Sequence, residues 1–207
     1  MSVSNICIVD YGMGNIGSIT NAFEILGHSV DVSSDREVIS SAHGLILPGV
    51  GAFPKAMNNL RDLQILDVIK DFAIEQEKPV LGICLGMQLL ATSSEENGHH
   101  LGLGLIPGQV KKIPGNELPV PQVGWNDINL RHDSSIFEGI LDNTDFYFVH
   151  SYYFSCERKF VSSTTNYGMD LTASIECKNV FGVQFHPERS HRYGLKVLEN
   201  FHKLCSV

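Results

Sequence analysis

Nowhere in its 207 residues does the sequence hold an apolar run near the roughly 18 residues a membrane span needs; Gly, Pro or a polar residue interrupts each candidate. The first ten residues, MSVSNICIVD, lack a basic segment followed by a long apolar one, so no signal peptide is expected. Blocks of Lys and Arg are missing too. With a formal charge of −8, non-specific nucleic-acid binding is not expected. The five cysteines are odd in number and widely spaced, with no C-x-x-C and no H-x-x-x-H. That excludes a disulfide framework and the usual zinc spacings. A reducing cytoplasm is therefore the expected compartment, with no metal and no cofactor. Linkers, repeats and low-complexity segments are absent as well, so one domain over 1–207 is the economical organisation.

What remains is ordinary for a globular chain: 43% hydrophobic and 18% charged residues, with mean hydropathy near zero. Over the first ninety residues the apolar pattern alternates between strand and helix periods. NICIVD reads as a strand, Asn15–Leu26 as a helix, HSVDVS as a strand, 36–41 as a short helix and GLILPG as a strand. Residues 53–76 carry helical spacing, and KPVLGICLGMQLLATSSEE runs from a fourth strand straight into a helix. Such alternation implies an α/β fold: a mostly parallel central sheet with helices on both faces. From 97 to 135, Gly and Pro punctuation points to hairpins and loops. DFYFVHSYYF (145–154) reads as strand, 171–176 and 180–185 as a β-hairpin, and 192–204 as a closing helix with Leu195, Leu198, Phe201 and Leu204 on one face.

GICLG (82–86) is a G-x-C-x-G elbow. A nucleophile on a sharp strand-to-helix turn has crowded neighbours, and glycines two positions either side relieve the clash. The turn would expose Cys84 at the carboxyl end of the sheet. A helix N-terminus favours a thiolate and offers the Leu85 N–H to an oxyanion. A buried structural cysteine between packing glycines is the bland alternative. Of the nine histidines, His186 in VFGVQFHPERS is the best-placed base, at the end of an apolar strand. In an extended chain Glu188 would point the same way and accept the second ring N–H, giving Cys–His–Glu. His28, His43, His99, His100, His132, His191 and His202 read as loop or exposed residues. LPGVGAF (47–53) is a further strand end, and Val50 and Gly51 are candidate second oxyanion donors.

Together PGVGAF, GICLGMQLL and GVQFHPERS resemble the class I (triad) glutamine amidotransferases. DYGMGNIGS, VGWN (123–126) and YFVHSYYF extend the likeness over nearly the whole chain, and order and length are most similar to the glutaminase subunits of imidazole glycerol phosphate synthases. The resemblance implies glutamine hydrolysis to glutamate and ammonia, with Cys84 as nucleophile and His186 and Glu188 completing the triad. It implies that the Gln88 side chain and the backbone of Gly86, Val149, His150 and Ser151 hold the substrate's α-amino and carboxylate groups. It also implies a heterodimer with a (β/α)₈ cyclase that receives the ammonia in histidine biosynthesis, with Asn15, Gln122, Trp125 and Asn126 toward that partner. In one respect the chain departs from the pattern. Where the family reads P-H-x-G-W-N, this chain has PQVGWN, with Gln122 in the His position. That leaves open a second acceptor, a sugar-modifying synthase of surface-polysaccharide pathways.

Gly12, Gly14 and Gly17 spell G-x-G-x-x-G, with Asp31 downstream, as in a dinucleotide-binding turn. Asp10 and Tyr11 intervene after the strand, however, and a carboxylate there would oppose a pyrophosphate. The stretch is instead expected to be a loop on the same sheet edge as Cys84, with Asn15 capping the following helix.

Overall fold

The computed structural model describes residues 5–115 and 118–206. The first half runs β1 (Ile6–Val9), α1 (Ile16–Ile25), β2 (Val30–Ser33), α2 (Arg36–Ser41), β3 (Gly44–Leu47), α3 (Phe53–Asp62), α4 (Leu66–Ile74), β4 (Val80–Ile83) and α5 (Leu85–Leu89). Then come β5 (Ser93–Ser94), β6 (His100–Leu101), β7 (Gln109–Lys112), β8 (Gln122–Leu130), β9 (Thr144–His150), β10 (Tyr152–Ser155), β11 (Val161–Asn166), β12 (Asp170–Cys177), β13 (Val180–Val183) and α6 (His191–Leu204). Nine strands form one sheet in the order β2-β1-β3-β4-β13-β12-β11-β8-β9, and β10-β7-β5-β6 form a smaller one.

The α/β architecture expected from the alternating pattern is present, in a mixed sheet. From β2 to β13 every pairing is parallel, and beyond β13 every pairing is antiparallel. Strands β1, β3, β4 and β13 are buried along their whole length, as an interior strand covered on both faces must be. Side chains alternate between two cores. Cys7, Val9, Leu45 and Leu47 meet α2–α5 on one face; Ile6, Ile8, Ile46 and Ile83 meet α1 and α6 on the other. Among the described residues no helix is long and apolar enough to cross a membrane.

The helical spacing over 53–76 is present as two helices, parted where Gln64 takes φ +55 between α3 and α4. Two expectations need correction. The punctuated stretch from 97 contains a nine-residue strand, β8, that extends the main sheet. Asn15 sits at the N-cap position of α1 without capping it: no helix N–H reaches its side chain, and its Oδ1 accepts from the Ser18 hydroxyl at 2.9 Å.

Candidate active site

All the parallel strands end at one edge, and register decides what meets there. Gly182 and Val183 pair with Gly82 and Ile83, so Cys84 and Gln184 emerge side by side. Leu47 pairs with Gly82, which brings Pro48–Gly51 alongside. The elbow is tight. Cys84 takes φ +53, a left-handed conformation that costs a non-glycine residue on the order of 1–3 kcal/mol. A Cβ on Gly82 would lie 2.6 Å from the Gly86 carbonyl oxygen, and one on Gly86 would overlap the Leu47 carbonyl. The glycine spacing therefore answers a backbone collision, as the elbow reading requires.

His186 and Glu188 lie beside the thiol. The ring Nδ1 is 2.9 Å from Glu188 Oε1, and the two side chains are 7% and 1% exposed. Their pairing is as expected, but its cause is different. Residues Pro187–Arg189 form a 3₁₀ turn rather than an extended strand, and the turn folds Glu188 back under the ring. Backbone bonds from His186 N–H to the Tyr147 carbonyl and from Tyr147 N–H to Ser190 Oγ fix the turn against β9. Phe185, fully buried, stacks on Phe146 with centroids 4.1 Å apart. Burial disfavours a charged His186 ring. Hydrogen bonds and negative charge from Cys84 and Glu188 outweigh it and push the ring up to about 10.

A cleft of about 340 Å³ opens over Cys84, lined among others by Gln88, Glu96, Val149, His186 and Arg189. The thiol reaches the Val149 carbonyl at 3.7 Å and receives the Gln184 amide N–H at 3.7 Å. Gln184 in turn accepts from Gln88 Nε2 at 3.0 Å, which also donates to the Tyr152 carbonyl at 2.9 Å. A thiol and an imidazole on one cleft, the imidazole backed by a carboxylate, with a lining of both charge signs, suit nucleophilic attack on a small zwitterion.

The family model for class-I glutamine amidotransferases matches residues 7–204. The chain belongs to the class I glutamine amidotransferase family. It is 50% identical over 200 residues to the imidazole glycerol phosphate synthase subunit HisH of Moorella thermoacetica, covering 96% of this chain and 94% of that protein. It is 48% identical over 198 residues to subunit HisH 2 of Vibrio vulnificus, covering 95% and 92%. Archaeoglobus fulgidus HisH is 45% identical over 196 residues, covering 95% and 96%. The fold matches a solved glutamine amidotransferase at TM-score 0.75 and 20% identity, over 97% of this chain and 99% of that one. It also matches a chain of PurLQS from Thermotoga maritima at TM-score 0.71 and 20% identity, over 95% and 96%.

Several site residues of this amidotransferase stand differently from expectation. The candidate oxyanion donors are engaged elsewhere. Leu85 N–H points to the Gly49 carbonyl at 3.4 Å, and Val50 N–H to the Met13 carbonyl at 3.3 Å. Gly51 lines the cleft with φ +98. Gln122, expected at a partner surface, is a correction: it is 2% exposed, and its amide meets His150 Nε2 at 3.0 Å. The other His150 nitrogen, Nδ1, donates to the Tyr152 carbonyl at 2.8 Å. Burial above all, with the His186 charge, lowers His150 to about 4 against the pull of that carbonyl. Burial thus favours the neutral ring, with Nδ1 turned to the Tyr152 carbonyl and Nε2 facing Gln122 Oε1. Trp125 is 47% exposed and stacks on His191 with centroids 4.9 Å apart, while Asn126 Nδ2 donates to the Asn166 carbonyl at 2.7 Å.

Three residues in or beside the site have no role assigned by the sequence motifs. Glu96 lines the cleft and accepts the Phe53 N–H at 2.7 Å. Gln184 stands two places before His186, in the quoted motif but without an assigned part. Tyr11 lies under the Pro48–Val50 loop, its hydroxyl donating to the Pro48 carbonyl.

Proposed function

We propose that this amidotransferase is the glutaminase subunit of an imidazole glycerol phosphate synthase, acting in histidine biosynthesis. The chemistry rests on one observation, the buried Nδ1–Oε1 bond of 2.9 Å between His186 and Glu188 beside Cys84. The choice of acceptor rests on the names of relatives near 50% identity. Those relatives favour it over a sugar-modifying synthase.

Cys84 attacks the side-chain amide carbon of glutamine as the thiolate. His186, held charged by Glu188, gives its proton to the departing nitrogen as the C–N bond breaks. Ammonia leaves, and a γ-glutamyl thioester stays on Cys84. His186, now neutral, takes a proton from water. The resulting hydroxide attacks the thioester carbonyl, the C–S bond breaks to restore the charged Cys84–His186 pair, and the new γ-carboxyl group gives its proton to solvent as glutamate leaves. In the cleft Glu96 suits the substrate's α-ammonium and Arg189 its α-carboxylate, beside the backbone of Gly86 and of Val149–Ser151. Gln88, its NH₂ spent on Gln184 and Tyr152, has its carbonyl oxygen left for the ammonium.

The oxyanion formed in each step needs donors, and Val50 and Leu85 N–H are turned to other acceptors. A rotation of the Gly49–Val50 peptide releases both at once. Removing a single such donor costs on the order of 10²–10³ in kcat, so the chain alone is slow until the loop turns. Ammonia in bulk water becomes ammonium, so the acceptor subunit must cover the site. The proposed partner is a (β/α)₈ cyclase that meets Asn15, Trp125 and Asn126. A cytoplasmic location keeps the thiol reduced.

The test is glutamate release from glutamine by the purified chain, alone and with the cognate cyclase and its ligand. We expect a rate stimulated at least tenfold by the partner. A chain as fast alone as with its partner contradicts the loop argument, and one that releases no glutamate under either condition contradicts the function.

A further inference from the structure

We propose that Tyr11 is a positioning residue that latches the Pro48–Gly51 loop with its donors turned away from the thiol. This deepens the reading above and rests on it. Three hydrogen bonds hold the loop in this state. Two are long: Val50 N–H to the Met13 carbonyl at 3.3 Å and Leu85 N–H to the Gly49 carbonyl at 3.4 Å. The third, from the Tyr11 hydroxyl to the Pro48 carbonyl, is buried, in a residue only 2% exposed. A hydroxyl buried to that degree keeps its partner, because leaving it unpaired costs its full desolvation penalty.

Tyr11 also sits against the residue that must turn. A Cβ on Gly49 would lie 2.7 Å from both Tyr11 Oη and Leu85 Cβ, and 2.8 Å from Gly86 N. The phenol thus packs on the Gly49 α-carbon while bonding the peptide before it. Its own backbone is tied down on the far side, where Asn59 Nδ2 of α3 donates to the Tyr11 carbonyl at 2.9 Å. Tyr11 is absent from the cleft lining, so it acts through the loop and not on substrate.

The latch also gives the glycine-rich stretch after β1 a task. Gly12, at φ +78, turns the chain so that Met13 O faces Val50. Gly12 is exposed and Met13, Gly14 and Asn15 are half-buried, so a partner seated on this edge can move Met13 and take the acceptor from Val50.

Tyr11→Phe keeps the ring and deletes the bond. In the absence of the cyclase, kcat for glutamate release should rise roughly two- to tenfold, the size of one net hydrogen bond. KM for glutamine should stay within about twofold of wild type, because nothing in the cleft changes. The cyclase-stimulated rate should be unaltered, so the stimulation ratio falls. Asn59→Ala, which frees the Tyr11 backbone but leaves the hydroxyl, should move the partner-free kcat in the same direction and decides the matter if Tyr11→Phe does not fold. An unchanged or lower partner-free kcat in a folded variant overturns the latch while the function stands. A wild-type chain that the cyclase does not stimulate overturns the loop argument, and the latch falls with it, whereas one that releases no glutamate even with the cyclase overturns the proposed function.

Discussion

Replacing Glu188 by Gln separates charge from shape at the candidate site. The carboxylate is 1% exposed, and its Oε1 lies 2.9 Å from His186 Nδ1. Its second oxygen is buried with no hydrogen-bond partner among the described residues, so the imidazole is the group its charge serves. A glutamine of the same size still accepts the ring N–H through its carbonyl, which preserves the tautomer. What is lost is the charge that favours imidazolium. A hydrogen bond to a charged group is worth about 1.5–3 kcal/mol, and each 1.36 kcal/mol is tenfold in rate. Glu188→Gln should therefore lower kcat roughly 10- to 100-fold with KM little changed, read as glutamate release under saturating cyclase. The pH dependence has a sign. His186 in the fold titrates above its ordinary value, so its charged form contributes stability that is complete below about 6.5. That contribution is lost as pH rises toward about 10. The wild-type unfolding midpoint should thus fall through this window, and the Glu188→Gln curve should be flatter. A variant within twofold of wild-type kcat, or a loss carried by KM alone, refutes the reasoning.

Two further expectations concern stability. Gly86→Ala drives a methyl onto the Leu47 carbonyl; at about 1–3 kcal/mol for overpacking, Tm should drop by roughly 2–12 °C in calorimetry. An unchanged Tm means that the elbow is looser than described. His150 is depressed to about 4, so the stability tied to its neutral form is present above about 6.5. It is lost as pH falls toward 4, by up to roughly 3 kcal/mol. Urea titrations across that range should show the slope in wild type and its loss in His150→Gln; equal slopes would exclude His150 as the source.

The elbow was legible because its glycines are forced by backbone collision, a constraint that leaves a fixed spacing in any sequence. The His–Glu pair was legible for a reason that does not hold: the two residues meet through a 3₁₀ turn, whose own carbonyl–amide geometry the H-P-E spelling does not reveal. The antiparallel half of the sheet was harder. Strand β11, VSSTTN, has no apolar alternation because its interior is polar. Ser162 and Ser163 both bond Ser174 across to β12, at 2.7 and 2.6 Å. No expectation was attached to that stretch. Glu96 carries no local pattern, since the cleft claims it from a loop after β5. Gln122 read as a surface residue because its partner, His150, is a neighbour only once β8 and β9 pair. The oxyanion loop was legible as a candidate, but whether its donors were free depended on Met13 and Gly49, which only the folded chain brings to them.

The central claim is that Cys84 carries the γ-glutamyl group during turnover. Acid quenching of the chain in steady state with radiolabelled glutamine and the cyclase, followed by peptide mapping, tests it directly. The account predicts label on the peptide containing Cys84 and on no other, with neither label nor glutamate release in Cys84→Ala. Label on another residue, or release that survives Cys84→Ala, would contradict it.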